Sequence, residues 1–202
     1  MPNVSFFNNF GLMGVPGFLS GRDCQQLRCE ISEASISAAT IREEGSEYGV
    51  DEGKRKTRWA EVSPEASGLV VERLTALLPQ VAEQLGVELS GVQTPQFLMY
   101  REGDFFRRHR DSNPDAVAAK FARERQVSAV VFLNGESSEP APDSYEGGAL
   151  TLYGLMEDRD GGSIGLPVTG ETGSLIAFPS DMMHEVTPVS RGERYTVVTW
   201  FY

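Results

Sequence analysis

The chain is poor in the residues that build most metal and redox sites. Among 202 residues there are only two cysteines and two histidines. Cys24 and Cys29 stand five apart, so on a helix their side chains diverge and a disulfide between them is not expected. There is no CxxC pair, which removes the usual zinc and dithiol arrangements. Both thiols are expected to be reduced and partly buried, in keeping with a cytoplasmic protein. Positive charge is scarce too. Eighteen Lys and Arg against 29 Asp and Glu give a formal net charge of −11. That balance argues against broad attraction to nucleic acid or to anionic membranes. No apolar run approaches membrane-spanning length. Met1 to Phe10 lacks the basic start and apolar core of a secretory signal. What remains is ordinary: 40% hydrophobic and 23% charged residues, no internal repeat, and enough length for one domain with a full core.

The first part of the chain reads as helical. Ser20 is an N-cap with Asp23 in the first turn, and Cys24, Leu27 and Ile31 form a buried stripe. Residues 45–56 are polar and Gly-dotted, a mobile loop ending in Lys54-Arg55-Lys56. Residues 58–62 suit a short strand. Ser63-Pro64-Glu65 starts a second helix, whose Leu69, Val70, Leu74, Leu77, Leu78, Val81 and Leu85 recur at helical spacing until Gly86 closes it. Pro79 is expected to kink or split that helix.

Beyond Leu89 the character changes. Strands are predicted at 97–101, 126–133, 149–153, 174–178, 184–189 and 194–201, rich in Val, Thr and aromatics. Residues 114–124 suit a short helix capped by Asn113. Residues 134–146 are acidic and Pro-containing, and read as a solvent loop. Helices first and many short strands after predict an α+β, mainly β domain, a β-sandwich or jelly roll with helices packed on one sheet. Residues 1–90 would supply helical support and a substrate-side loop, and 91–202 the jelly-roll core.

Both histidines fall where a metal site would want them. His109 lies in Phe106-Arg107-Arg108-His109-Arg110-Asp111 and His184 in Met183-His184-Glu185-Val186. On a strand, His109 and Asp111 share a face. Two imidazoles and one carboxylate leave other positions on a metal open, the arrangement of non-haem Fe(II) oxygenases. Arg194 follows His184 by ten residues and could hold a carboxylated co-substrate through two parallel hydrogen bonds. Arg194, Thr196, Val198 and Trp200 would share one strand face. Taken singly, His109-x-Asp111 is a weak signal, and Arg194 alone suits a surface ion pair with Glu193 or Glu185. It is the combination that is specific.

The chain resembles the iron- and 2-oxoglutarate-dependent dioxygenases, most of all their prolyl 4-hydroxylase branch. The resemblance rests on Tyr100-Arg101-Glu102-Gly103, His109-Arg110-Asp111, the stretch from Arg125 to Asn134, Gly147-Gly148-Ala149-Leu150, the stretch from Gly173 to Phe178, His184-Glu185-Val186-Thr187-Pro188-Val189, and Gly192-Glu193-Arg194-Tyr195 through Trp200. Order and spacing hold over roughly residues 95–202. It implies a double-stranded β-helix, with His109, Asp111 and His184 on Fe(II). Arg194 would face the distal carboxylate of 2-oxoglutarate, helped by Tyr100 and Thr196. Arg125 and Trp200 match substrate-side positions of the oxygen-sensing prolyl hydroxylases. Lys54 to Trp59, with Arg58 and Trp59 at its end, resembles their substrate-covering loop; a solvated charged loop beside one buried tryptophan fits equally well. One departure stands out: Phe132 occupies a position where those enzymes often carry a second tyrosine that touches the co-substrate.

The implied reaction couples O2 and decarboxylation of 2-oxoglutarate to succinate with hydroxylation of a C–H bond, ascorbate being a candidate auxiliary reductant. The expected target is a prolyl residue of a peptide or protein, with a free amino acid or other small molecule as the alternative. A non-catalytic module that senses metal or 2-oxoglutarate, and a cupin-like enzyme independent of 2-oxoglutarate, are the rival classes. The cupin-like sites draw on more histidines than this chain has.

Overall fold

The computed structural model describes residues 7–34, 36–38, 53–112, 120–139 and 141–202. The strands up to the middle of the chain are β1 (Met13–Val15), β2 (Ile36–Ala38), β3 (Arg55–Lys56), β4 (Arg58–Ala60), β5 (Gln96–Tyr100), β6 (Phe105–His109) and β7 (Val127–Phe132). There follow β8 (Gly135–Glu136), β9 (Ser144–Gly147), β10 (Leu150–Glu157), β11 (Ser163–Val168), β12 (Leu175–Pro179), β13 (His184–Val186), β14 (Val189–Arg191) and β15 (Arg194–Phe201). The helices are α1 (Gly21–Glu33), α2 (Pro64–Leu85) and the short α3 (Lys120–Arg123). A seven-stranded sheet runs β1-β12-β7-β15-β5-β4-β2, a five-stranded one β11-β10-β13-β6-β3, and a small one β14-β9-β8. The predicted mainly β jelly roll with supporting helices is the fold observed. Strands β1 to β4, all before residue 90, extend the two larger sheets.

The helices form where local chemistry places them. Ser20 and Asp23 make a reciprocal capping box, each satisfying a backbone N–H of the other. Ser63 caps α2, Pro64 opens it and Gly86 ends it in a left-handed conformation at φ 66°. Pro79 does not split α2, which runs unbroken from Pro64 to Leu85. Its side chain lies on the exposed face, where water can take the carbonyl freed by its missing N–H. Leu27 and Ile31 of α1 and Val70, Leu74 and Val81 of α2 pack on Ala129, Val131, Ala177 and Val197 of the seven-stranded sheet. Arg73 ties the two helices together, reaching Asp23 at 3.1 Å and the Phe18 carbonyl at 3.0 Å.

The opposite face of that sheet packs on the five-stranded one. Val130, Phe132, Ile176 and Phe178 meet Leu150, Leu152 and Val168 there. Three further expectations need correcting. The 134–146 segment is not simply a solvent loop, since its ends are strands β8 and β9 and Tyr145 is buried. Arg191 holds it, donating to the Ser137 carbonyl at 2.9 Å and pairing with Glu146 at 2.8 Å. The 184–189 strand divides into β13 and β14, in different sheets. Cys24 and Cys29 are both free, the first buried and the second exposed rather than partly buried. The expected loop at 45–56 and the Asn113 cap lie outside the described residues, except for 53–56. No described helix is long and apolar enough to cross a membrane.

Candidate metal centre

Sheet register brings the two histidines together. Strand β13 runs antiparallel to β6 with His184 directly opposite His109, although they are 75 residues apart in sequence. Between that pair and the next, Val186 opposite Phe106, β6 carries one extra residue. Such a bulge twists a strand and re-aims its side chains. The two ring centroids are 4.2 Å apart.

Asp111 arrives differently from what strand alternation predicts. Strand β6 ends at His109, and the chain bends, so Asp111 is positioned from the seven-stranded sheet. Its backbone N–H donates to the Ser180 carbonyl at 2.9 Å. The Ser128 hydroxyl donates to its Oδ2 at 2.7 Å and stands 3.0 Å from the Ser180 hydroxyl. Asp111 Oδ1 is then 3.5 Å from His109 Nε2, and Oδ2 is 3.6 Å from His184 Nε2. One donor atom from each of the three residues lies within 4.8 Å of the others. Donors on one ion, with bonds near 2.1 Å, stand roughly 3–3.5 Å apart, so the spacing suits a shared cation better than direct hydrogen bonds.

The other nitrogens are occupied in the way metal ligands usually are. His109 Nδ1 lies 2.8 Å from the Arg107 carbonyl, and His184 Nδ1 lies 2.9 Å from the Met182 carbonyl. A carbonyl on Nδ1 fixes the tautomer that leaves the Nε2 lone pair free for metal. The His109 ring stacks on Phe106 at 3.5 Å between centroids, and the Phe178 ring meets His184 edge-on at 4.9 Å. Burial alone would raise the Asp111 carboxyl, but the His184 and His109 imidazoles and the Ser128 hydrogen bond hold it far below the usual carboxylate range. Burial lowers His184 towards the neutral form, against the opposing pull of Asp111. An anionic oxygen beside two imidazole nitrogens is the donor set a divalent cation takes.

Arg194 starts β15 directly opposite Tyr100 on β5. It is 1% exposed, yet its Nε and Nη2 have no hydrogen-bond partner among the described residues. Its Nη1 is 3.4 Å from the Thr196 hydroxyl. The guanidinium carbon lies 5.2, 5.5 and 5.9 Å from the ring centres of Tyr100, Phe132 and Tyr145. A buried guanidinium with two orphaned nitrogens is costly unless an anion comes to it. A carboxylate fits it, since its two oxygens match two parallel N–H groups. Gly148, at φ 62°, permits the close approach; a Cβ there would stand 2.8 Å from Val189 and 3.0 Å from the Arg194 side chain. Phe132 and Phe178, whose rings meet Arg194 and His184 respectively, belong to one buried cluster.

The remaining predicted residues divide. Arg125 stacks on the Trp200 ring at 3.4 Å and donates to the Asp111 carbonyl at 3.3 Å, so both border the histidine cluster. Trp200 is 6% exposed and its indole N–H has no partner among the described residues. Trp59 lies opposite Leu98 on the sheet face that carries Thr196, and is 38% exposed. Arg58 points the other way along β4 and grips the buried Asp104. Ser128 and Tyr145 escaped the sequence reading. A lone hydroxyl in the apolar run of β7 was the available signal for the first; Tyr145 was hidden in a segment read as solvent-exposed.

Residues 95–202 match the profile of the 2OG-Fe(II) oxygenase superfamily. Over 193 residues the chain is 29% identical to a PKHD-type hydroxylase of Rhizorhabdus wittichii, covering 94% of this chain and 77% of that one. A PKHD-type hydroxylase of Xanthomonas axonopodis is 28% identical over 205 residues, with the same coverage. The crystal structure of a Pseudomonas putida prolyl-4-hydroxylase superposes with a TM-score of 0.70 at 26% identity, covering 98% of this chain and 95% of that one. A Trichoplax adhaerens prolyl hydroxylase, solved with a peptide of a hypoxia-inducible factor, shares the fold at a TM-score of 0.67 and 19% identity, covering 98% and 86%.

Proposed function

Because the chain belongs to the 2OG-Fe(II) oxygenase superfamily, we propose that it hydroxylates a prolyl residue of a peptide or protein, with Fe(II) held by His109, Asp111 and His184. Arg194 takes the distal carboxylate of 2-oxoglutarate, with Tyr100 and Thr196 beside it. One observation carries this reading: a buried guanidinium with two nitrogens unpartnered among the described residues occurs in a domain that also holds a two-histidine, one-carboxylate cluster. When bound, the ferrous ion with 2-oxoglutarate and O2 supplies the oxidising power for C–H hydroxylation.

The protein's own residues position and exclude. Ser128 and the two carbonyls on the imidazoles hold the ligands in place before any metal arrives. The aromatic walls at Tyr100, Phe132 and Tyr145 keep water from the Arg194 contact, which strengthens it. His109 is the more open histidine, 21% exposed against 6% for His184, so substrate approaches from the His109 side. Arg125 and Trp200 line that approach, with Trp59 on the same sheet face, and the Trp200 N–H, unpartnered among the described residues, offers a donor to a peptide carbonyl. Arg58, held by Asp104, anchors the neighbouring strand.

A screen of 2-oxoglutarate turnover with and without proline-containing peptides tests the reading. Succinate formation that rises with one peptide, and a +16 Da product on its proline, is the expected result. Turnover coupled only to a free amino acid or other small molecule would overturn the peptide assignment while leaving the metal centre standing.

A further inference from the structure

One wall of the carboxylate pocket is a ring with no donor to give, beside a phenol that has one. A carboxylate brings two oxygens with about four lone-pair sites. The two orphaned nitrogens of Arg194 give one N–H to each oxygen. On the reading above Tyr100, opposite Arg194 in register, and Thr196, whose hydroxyl accepts from Arg194 Nη1 at 3.4 Å, stand on two other sides of the guanidinium. Phe132 stands at a comparable distance from the guanidinium and has no hydroxyl to give. In a buried site an anionic oxygen left short of partners is costly.

We propose that Tyr145 supplies this donor, its phenol binding the distal carboxylate of 2-oxoglutarate from a different strand and replacing the hydroxyl absent at Phe132. The inference rests on the reading of Arg194 given above. Tyr145 is 1% exposed on β9, with its ring centre 5.9 Å from the Arg194 guanidinium. Gly170 locates its hydroxyl. A Cβ at Gly170 would fall 2.5 Å from Cδ1 of Phe132 and 2.6 Å from Oη of Tyr145. The phenol oxygen and the Phe132 ring edge therefore flank one point, and the space for both exists because residue 170 has no side chain. Strand β9 is held firmly: Gly147 pairs with Val189, Arg191 pairs with Glu146, and the Tyr145 carbonyl accepts from the Ser137 N–H at 2.8 Å. Burial raises the Tyr145 phenol above its ordinary value, with Arg194 opposing, so the hydroxyl keeps the proton it must donate.

A packing role for the ring is the competing account, and Tyr145→Phe separates the two because it keeps the ring. Binding is measured by calorimetry without oxygen, on Mn(II)-loaded protein, for 2-oxoglutarate and for oxalate. Oxalate shares the chelating end and has no distal carboxylate. A hydrogen bond to a charged group predicts a weakening of about tenfold to a hundredfold for 2-oxoglutarate, with oxalate unchanged. Adding Phe132→Tyr to Tyr145→Phe should recover most of the loss. Unchanged 2-oxoglutarate affinity in Tyr145→Phe, an equal loss for oxalate, or a double variant no tighter than the single one overturns the assignment. Wild-type protein that binds oxalate and 2-oxoglutarate equally well would instead remove the carboxylate site at Arg194, and Tyr145 with it.

Discussion

The two faces of the seven-stranded sheet are made from the same strands and obey different rules. Along β15, Tyr195, Val197 and Phe201 face the helices and join one apolar cluster with Leu27, Leu74 and Val131. The alternate residues Arg194, Thr196 and Trp200 face the other sheet, as buried as their neighbours. The helix face contributes by area and packing. The inner face carries N–H groups on Arg194 and Trp200 that are unpartnered among the described residues, which packing alone would penalise. One strand thus divides stability from chemistry by the two-residue alternation of its side chains. Local rules are broken on the face that works and kept on the face that holds it.

Substitutions on each face should therefore separate turnover from stability. Asp111→Ala, on the working side, should abolish succinate formation by removing a metal ligand, a loss read on variant protein whose thermal transition shows it to be folded. Turnover retained in this variant would remove Asp111 from the centre. Arg194→Ala should cost about 2–5 kcal/mol of 2-oxoglutarate binding, read as a raised KM for the co-substrate; an unchanged KM would reassign the residue. On the helix side, Leu74→Ala should cost about 2–5 kcal/mol of folding stability, read as a lower denaturant midpoint, with kcat of the folded protein preserved. A fall in kcat without loss of stability would break the division. Smaller again is Ser128→Ala, which removes the hydroxyl on Asp111 and should weaken metal binding about tenfold to a hundredfold, checked by metal titration against a chelator of known affinity.

The triad was readable because the chain has so few alternatives: with two histidines, order and spacing leave little choice. The helices were readable because Ser20, Ser63, Pro64 and Gly86 act locally. Pro79 misled, since its cost depends on which side of the helix meets water, and that is decided by packing. Strands β8 and β9 could not be read from composition. They are two and four residues long and are held by Arg191 from 45 or more positions away. Tyr145 was lost with them. Asp111 does lie beside the histidines, but by a different geometry from the one expected, because the alternation of β6 stops at His109 and hydrogen bonds to Ser128 and Ser180 take over.

The pairing of His109 with His184 also bears on how the enzyme matures. The two imidazoles become neighbours only when strands 75 residues apart have zipped together, and long-range pairings of this kind are the slow ones in folding. A nascent chain released before β13 has docked holds a single histidine beside Asp111 and cannot grip ferrous ion well. A metal centre built on these residues can accordingly form only once this long-range pairing is in place.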